Sequence, residues 1–345
     1  MAKWVRAFTG SLIFTMDSPP RLFFPSSEKT PALFGSKKDK YRRLRILIVS
    51  SYKKELCPMG DLTLILWAQE FVSPALTAFF AAITSLGSLE FYMLTIPVIY
   101  WMVDKHFGFR FSIFFIFSAY INSGAKHIFV TERPPRELRL VSQEGYAFPS
   151  GHAQGSTAFW GFLALKLKTP LAWAGAVAMI LLVSFSRIYL GVHWPIDILG
   201  GLTIGVLLLL AYSPMAKVDL ERISLRTWML GSVLSATILY LLHPTGDGPM
   251  TVGFLLGALL GYRLELRYVK FQEDATLVQN VVKLILGLAA LFALRIVLKP
   301  LVSWLPGGID YVVRYGFLGL WASLGAPFAF TRLGLFKRTD VVETL

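Results

Sequence analysis

From Leu62 onward, long apolar runs follow one another with only short polar connections. A helix needs about 20 mostly apolar residues to cross the hydrocarbon of a bilayer. On that measure about ten spans are expected, over 62–87, 89–103, 109–130, 150–167, 170–189, 196–213, 227–243, 249–264, 277–298 and 310–330. Gln69, Glu70 and Pro74 interrupt the first, which has an interfacial helix as its alternative reading. The second is short, and the runs after Pro195 and Pro249 need tilting or local thinning of the bilayer. The expected fold is therefore all-α, a polytopic membrane helical bundle. Residues 1–60 differ in kind: Pro19, Pro20, Pro25 and Pro31 interrupt any helix, and Lys37 to Arg45 form a basic run. This stretch is expected to be a loosely ordered basic tail. Its apolar patch at Leu12–Phe14 is too short for a signal peptide, and Met59 offers a second start that would lose no residue assigned to the chemistry.

Composition agrees with this pattern, with 55% hydrophobic and only 16% charged residues. A net charge of +13 raises nucleic acid as a partner, but the basic residues sit in short loops between apolar runs, so no nucleic-acid partner is expected. Those loops, at 105–110, 166–168, 217–226, 263–270 and 332–338, all fall on one side in the span count, together with the basic tail. By the positive-inside rule that side is cytoplasmic, with both termini on it. The loop from Thr131 to Phe148 and the turn around His193 then fall on the outer side, where Glu132, Glu137 and Glu144 dilute the basic residues. The single cysteine, Cys57, excludes an intrachain disulfide framework and a cysteine-based metal cluster.

Three polar stretches reach the outer side. The run Ser186 to Asp197 lies between two strongly apolar runs, and ionisable groups at a membrane mark functional sites by default. His193 and Asp197 are four residues apart, one helical turn, so a carboxylate can orient the imidazole and leave its other nitrogen free to act as nucleophile or base. Arg187 adds a planar fork suited to phosphate. Read alone, this stretch favours a snorkelling arginine and a helix-capping aspartate; the two stretches that follow change that. The second stretch, Lys126 to Pro134, places Lys126 and Arg133 seven residues apart, two helical turns, although interfacial anchoring explains most cations at span ends. In the third, Pro149-Ser150-Gly151-His152 opens a span; a helix start offers unpaired N–H groups to an anion, and Gly151 permits close approach. Three cations, two donors and three acid–base groups suit phosphoryl transfer, with one histidine attacking phosphorus and another protonating the leaving oxygen. No carboxylate cluster has metal-ligand spacing, so neither metal nor other cofactor is expected.

Lys126-x6-Arg133-Pro134, Pro149-Ser150-Gly151-His152 and Ser186-Arg187-x5-His193-x3-Asp197 resemble the three-part signature of the type 2 phosphatidic acid phosphatase family, in order and at every position. The resemblance covers roughly 62–213. It implies a core of six spans, with His193 as the nucleophile forming a phosphohistidine, Asp197 orienting it and His152 protonating the leaving group. It also implies that Lys126, Arg133, Ser150, Gly151 and Arg187 hold the phosphate. On this basis the chain divides into the tail over 1–60, a phosphatase core over 61–213 and a membrane extension of about four spans over 214–345. Total length and the long apolar C-terminal half are similar to glucose-6-phosphatase, a hydrolase of a soluble phosphate ester, but Asp197 fits the lipid phosphatases. The expected activity is hydrolysis of a lipid phosphate or diphosphate at the outer face, with phosphoryl transfer to an acceptor lipid as the alternative, and a transport or binding role on the same scaffold less well supported.

Other residues carry simpler expectations. His127 points about 100° away from Lys126 and faces neighbouring protein; His106 and His243 are assigned to solvated loops. Arg295 and Arg314 are expected to snorkel, Glu70 and Glu90 have no assigned role, and Trp67, Trp101, Trp160, Trp194, Trp304 and Trp321 suit interfacial belts.

Overall fold

Short polar side chains set most of the helix starts. Ser73, Ser88, Asp104, Ser150, Thr169, Ser224 and Thr276 each sit at an N-cap and accept a hydrogen bond from a backbone N–H in the first turn. The computed structural model describes residues 62–215 and 220–336, and every regular element among them is helical. The helices are α1 (Thr63–Gln69), α2 (Pro74–Ser85), α3 (Leu89–Met102), α4 (Lys105–Phe129), α5 (Gly151–Leu167), α6 (Pro170–Tyr189) and α7 (Pro195–Met215). They continue as α8 (Leu225–Leu242), α9 (Gly248–Leu264), α10 (Leu277–Val302), α11 (Ile309–Leu320) and α12 (Ala326–Arg332), with π-helical segments at Glu265–Val269 and Trp321–Gly325. The expected N-terminal tail and Met59 lie outside the described residues.

All ten expected runs contain helix, but four helices are by themselves long and apolar enough to cross a membrane: α6, α8, α10 and Pro195–Tyr212 of α7. Pro74–Ser85 and Glu90–Met102 add a fifth candidate as a pair bent by 45°. The run 62–87 breaks into α1 and α2 around Phe71–Ser73, and the run 310–330 passes through a π-helical segment. The other helices are shorter than 18 residues, apart from α4, whose 25 residues include Lys105, Arg110 and Lys126. α5 has only 17 residues and buries Gln154, Ser156 and Thr157. A helix surrounded by other helices finds polar partners there and needs no hydrocarbon-compatible surface.

Three apolar clusters hold the bundle together. One, around Ile188, Tyr189, Val192 and Trp194, packs α6 and the following turn on α1 and α5. A second is an aromatic stack of Tyr92, Phe111, Phe115, Phe159 and Phe162 between α3, α4 and α5. The third joins the N-terminal helices to the C-terminal ones: Phe109 stacks on Tyr262 at 3.6 Å, Trp101 Nε1 donates to Ala322 O at 2.8 Å and Tyr100 Oη to Ser323 O at 3.0 Å. Both acceptors belong to the π-helical turn. Trp101 and Trp194 are thus buried, not interfacial as expected, because each indole N–H has a carbonyl partner inside the protein, Glu132 O for Trp194.

Lys105 opens α4 and Lys126 lies in its last turn, 21 residues later, which separates the two ends of the bundle by about 32 Å. At the Lys105 end, Lys166 pairs with Asp104 at 2.8 Å, Lys105 Nζ lies 3.5 Å from Glu265 and donates to Phe271 O at 2.5 Å, and Lys283 Nζ donates to Glu273 O at 3.0 Å. His106 belongs to the first turn of α4 rather than to a solvated loop, with its Nδ1 2.8 Å from Tyr262 Oη. Arg295 is exposed, whereas Arg314 is only 8% exposed and sits between the rings of Tyr311 and Tyr315 at 4.7 and 5.1 Å. Cation–π contact replaces the expected snorkelling there. Glu70 and Glu90 are exposed.

Candidate active site

At the Lys126 end, two helix starts are locked together. Ser150 caps α5 through Ala153 N at 3.4 Å, and its own N–H donates to Asp197 O at 2.9 Å. α7 comes this close because Gly201 has no side chain: a Cβ there would lie 2.5 Å from Ser150 O. Asn122 braces the same corner from α4, donating to Gln154 Oε1 at 2.9 Å and to Pro149 O at 3.3 Å, while Gln154 Nε2 returns to Ser118 O at 2.7 Å. Gly191 makes the second tight point. Its φ of 68° turns the chain out of α6, and a Cβ would meet Leu138 O at 2.1 Å. Leu140 N donates to Leu190 O at 2.9 Å, and Gln69 Nε2 to Leu138 O and Tyr189 O, so the long loop is sewn to the turn that carries His193.

His193 and Asp197 meet as their spacing suggests, by a different route. His193 precedes α7, and the Asp197 carboxylate in its first turn folds back to accept from Trp194 N at 2.8 Å and to approach His193 Nδ1 at 3.1 Å. A neutral imidazole protonated at Nδ1 satisfies this contact and leaves the Nε2 lone pair free for a donor. That donor is Arg133, whose Nη1 lies 3.0 Å from Nε2. Arg133 also departs from expectation. α4 ends at Phe129, Val130 turns in the left-handed region at φ 48°, and Arg133 reaches the site from the loop beyond, not from two helical turns along α4. It donates to four carbonyls: Val192 at 2.8 Å, Gly145 at 2.9 Å, Tyr146 at 3.0 Å and Glu144 at 3.2 Å. Burial lowers its pKa to about 10, against an opposing pull from Asp197, so it remains a cation at neutral pH.

Arg187 is 2% exposed and held from two sides, donating from Nη1 to Thr84 Oγ1 at 2.8 Å and from Nη2 to Gln143 Oε1 at 2.7 Å; its buried Nε–H has no partner. Lys126 and His152 make no hydrogen bond among the described residues, and both are partly buried. His193 is 1% exposed, and burial, then the nearby Arg187, Arg133, Lys126 and His152, hold it well below the ordinary imidazole range. The predicted site residues therefore converge on one imidazole, three cations against one carboxylate. Among the described residues, no group of three or more His, Cys, Asp or Glu side chains has the geometry to hold a metal ion.

Thr84, Gln143 and Asn122 were not singled out in the sequence, which carries no signal for them, and Gln69 stood out only as a polar interruption of the first apolar run; the four hold their partners across 27 to 120 residues. His127 faces protein as expected, its Nδ1 2.9 Å from Ser123 O and its ring against Tyr146. His243 is buried rather than solvated, with Nε2 2.9 Å from Ser123 Oγ and its ring 4.8 Å from that of His127.

The site is thus a buried imidazole backed by a carboxylate and ringed by cations, at one end of an apolar helical bundle. Residues 107–219 match the PAP2 superfamily and residues 249–338 match the PAP2 superfamily phosphatase, transmembrane extension. Together these span more than half of the chain, and the chain belongs to the PAP2 superfamily, as an integral membrane protein. Among curated relatives, it is similar to lipid phosphate phosphatase delta of Arabidopsis thaliana, 27% identical over 44% of this chain and 41% of that one. It is likewise similar to sphingosine-1-phosphate phosphatase 2 of Homo sapiens, 32% identical over 38% and 35% of the two chains. A putative undecaprenyl-diphosphatase of Escherichia coli is 34% identical over 26% of this chain and 47% of its own. The chain thus spans less than half the length of these relatives.

Proposed function

We propose that the protein is a membrane phosphatase that hydrolyses a lipid phosphate or diphosphate through a phosphohistidine. The observation that carries this reading is the His193 contact set, Asp197 at Nδ1 and Arg133 at Nε2. A phosphate arriving at the site gives Arg133 a charged acceptor, which competes strongly with a neutral imidazole nitrogen. The Nε2 lone pair is then released towards phosphorus. Nε2 forms the new bond as the bond to the lipid oxygen breaks, and His152 gives its proton to that oxygen. Asp197 balances the positive imidazole while the phosphoryl group is attached. A water molecule, deprotonated by His152, then attacks phosphorus; the P–N bond breaks, and phosphate leaves with His193 neutral again. Lys126, Arg133, Arg187, the Ser150 hydroxyl and the Gly151 N–H face the equatorial oxygens throughout.

No step of this scheme needs a metal ion. The names of the relatives favour a lipid substrate, and the charged loops favour an active site on the non-cytoplasmic face with both termini cytoplasmic. Phosphoryl transfer to an acceptor lipid would share every step but the last.

The test is phosphate release by purified protein, with chelator present, from polyprenyl diphosphate, phosphatidic acid, phosphatidylglycerol phosphate, sphingosine phosphate and glucose 6-phosphate. Release from a lipid in step with its loss is expected, and His193→Ala should reduce it by more than about 10³-fold. Turnover retained in that variant, or release only after metal is restored, would overturn the mechanism. Substrate loss without free phosphate would favour the transferase.

A further inference from the structure

α3 begins beside the site. A Cβ on Gly87, two residues before it, would lie 3.3 Å from His152 Cδ2. From there the helix leads along a cavity of about 100 Å³, lined on one side by α3 and α4 and on the other by α9, α11 and the π-helical turn at Trp321–Gly325, with Leu291 of α10. Tyr92, Ile96 and Tyr100 mark its wall over eight residues, about 12 Å of helix. Its lining is almost wholly hydrocarbon and aromatic, with short side chains at Ala119 and Ala258.

One polar group stands out. Tyr92 is 2% exposed, with its ring fixed against Phe115 at 4.4 Å and Phe159 at 5.0 Å, yet its hydroxyl has no hydrogen-bond partner. That oxygen would be 3.6 Å from a Cβ on Gly155, three residues along α5 from His152. A buried hydroxyl without a partner is unfavourable and marks where a ligand oxygen fits. Tyr92 lines the cavity while its hydroxyl lies against α5, the helix that carries His152, so the donor is on the side of the phosphate site and the apolar cavity leads away from both, the polarity of a lipid read from head to tail.

We propose that this cavity binds the hydrocarbon tail of the lipid phosphate, with the Tyr92 hydroxyl donating to an oxygen at the head-group end of that tail. The core then reads the phosphate and the C-terminal extension reads the chain. This rests on the phosphatase reading for the identity of the head group, but the cavity itself is testable without turnover.

The experiment uses full-length protein in nanodiscs and a long-chain alkyl phosphonate carrying a photoactivatable group in mid-chain. Crosslinks to the Tyr92–Tyr100 segment, or to the facing residues of α9 and α11, that excess long-chain lipid phosphate removes are the expected result. Crosslinks elsewhere, or ones the competitor leaves in place, would overturn the proposal. Labelling of this segment by a protein that releases phosphate from no lipid would sink the phosphatase reading and leave the tail site standing. Filling the cavity gives the second readout. Ala119→Phe, with Ala258→Leu as the milder variant, should lower the ratio of kcat/KM for long-chain over short-chain phosphate esters about tenfold, by mismatch in an apolar pocket. Turnover of the short-chain ester shows that the variant is folded, and an unchanged ratio would refute the assignment.

Discussion

The two ends of α4 both bury charge, to opposite purposes. At the Lys105 end, Lys105 and Lys283 are matched in charge by Glu265 and Glu273, with Lys105 Nζ on Glu265 and Phe271 O, Lys283 Nζ on Glu273 O and the Lys105 N–H on the Glu273 carboxylate. Only Glu265 Oε2, among the buried side-chain atoms of these groups, lacks a hydrogen-bond partner. At the Lys126 end, three cations, Lys126, Arg133 and Arg187, stand against two carboxylates, Asp197 and the Asp247 that lies near Lys126, and Lys126, His152 and the Nε of Arg187 lack hydrogen-bond partners among the described residues. Burying charge is costly unless it is compensated. A balanced cluster meets that cost within the fold, whereas a cluster with surplus cations and free donors leaves part of it to be met by an anion. The first arrangement holds helices in register; the second has the charge balance that the proposed phosphate site requires.

The comparison can be broken from its larger effects downward. Arg133→Gln removes the donor at His193 Nε2 and one of the surplus cations, and should reduce kcat/KM by about 10²–10³-fold. Its pH profile sharpens the point. Burial and three cations hold His193 below the usual imidazole range, so the acid limb of kcat/KM in the native protein should lie below about 6.5. Removing a cation favours the protonated imidazole, so in Arg133→Gln the limb should move up; a limb that stays or moves down would contradict the assignment of His193.

Glu265→Ala attacks the balanced end. Glu265 is fully buried, accepts from Phe271 N at 2.6 Å and pairs with Lys105, so its loss should destabilise the protein by about 3 kcal/mol, read as lowered thermal stability in nanodiscs, with turnover per folded molecule unchanged. A catalytic loss without a stability loss would erase the distinction between the two ends. Gln143→Ala should leave Arg187 with Thr84 as its remaining hydrogen-bond partner and lower kcat/KM about tenfold, with Gln143→Glu recovering part of it through the same contact. Smallest of all, Lys166→Ala removes an exposed ion pair with Asp104 and should change stability by less than about 1 kcal/mol and turnover not at all.

Much of the candidate site was legible in the chain itself. The order of Lys126, Arg133, Ser150, Gly151, His152, Arg187, His193 and Asp197 is the basis of the phosphate reading proposed above, and the four-residue spacing of His193 and Asp197 anticipated their contact. Periodicity misled where the backbone stops being helical. Arg133 lies beyond the turn at Val130, and His193 lies before α7, so neither is placed by helical phase. Hydropathy found the helices, four of which among the described residues are by themselves long and apolar enough to cross a membrane, and α5, read as a span, keeps Gln154, Ser156 and Thr157 inside the bundle.

The sequence by itself determined which functional groups are present, their order, and the apolar segments that become helices, because these depend on residue type and on neighbours within a turn or two. Tertiary structure alone decided that Arg133 lies against His193 Nε2, that Thr84 and Gln143 hold Arg187, and that a cavity opens between the core and the C-terminal extension below Tyr92. Those contacts join residues far apart along the chain, and packing, which fixes where helices cross and which space stays empty, is set by all the helices together.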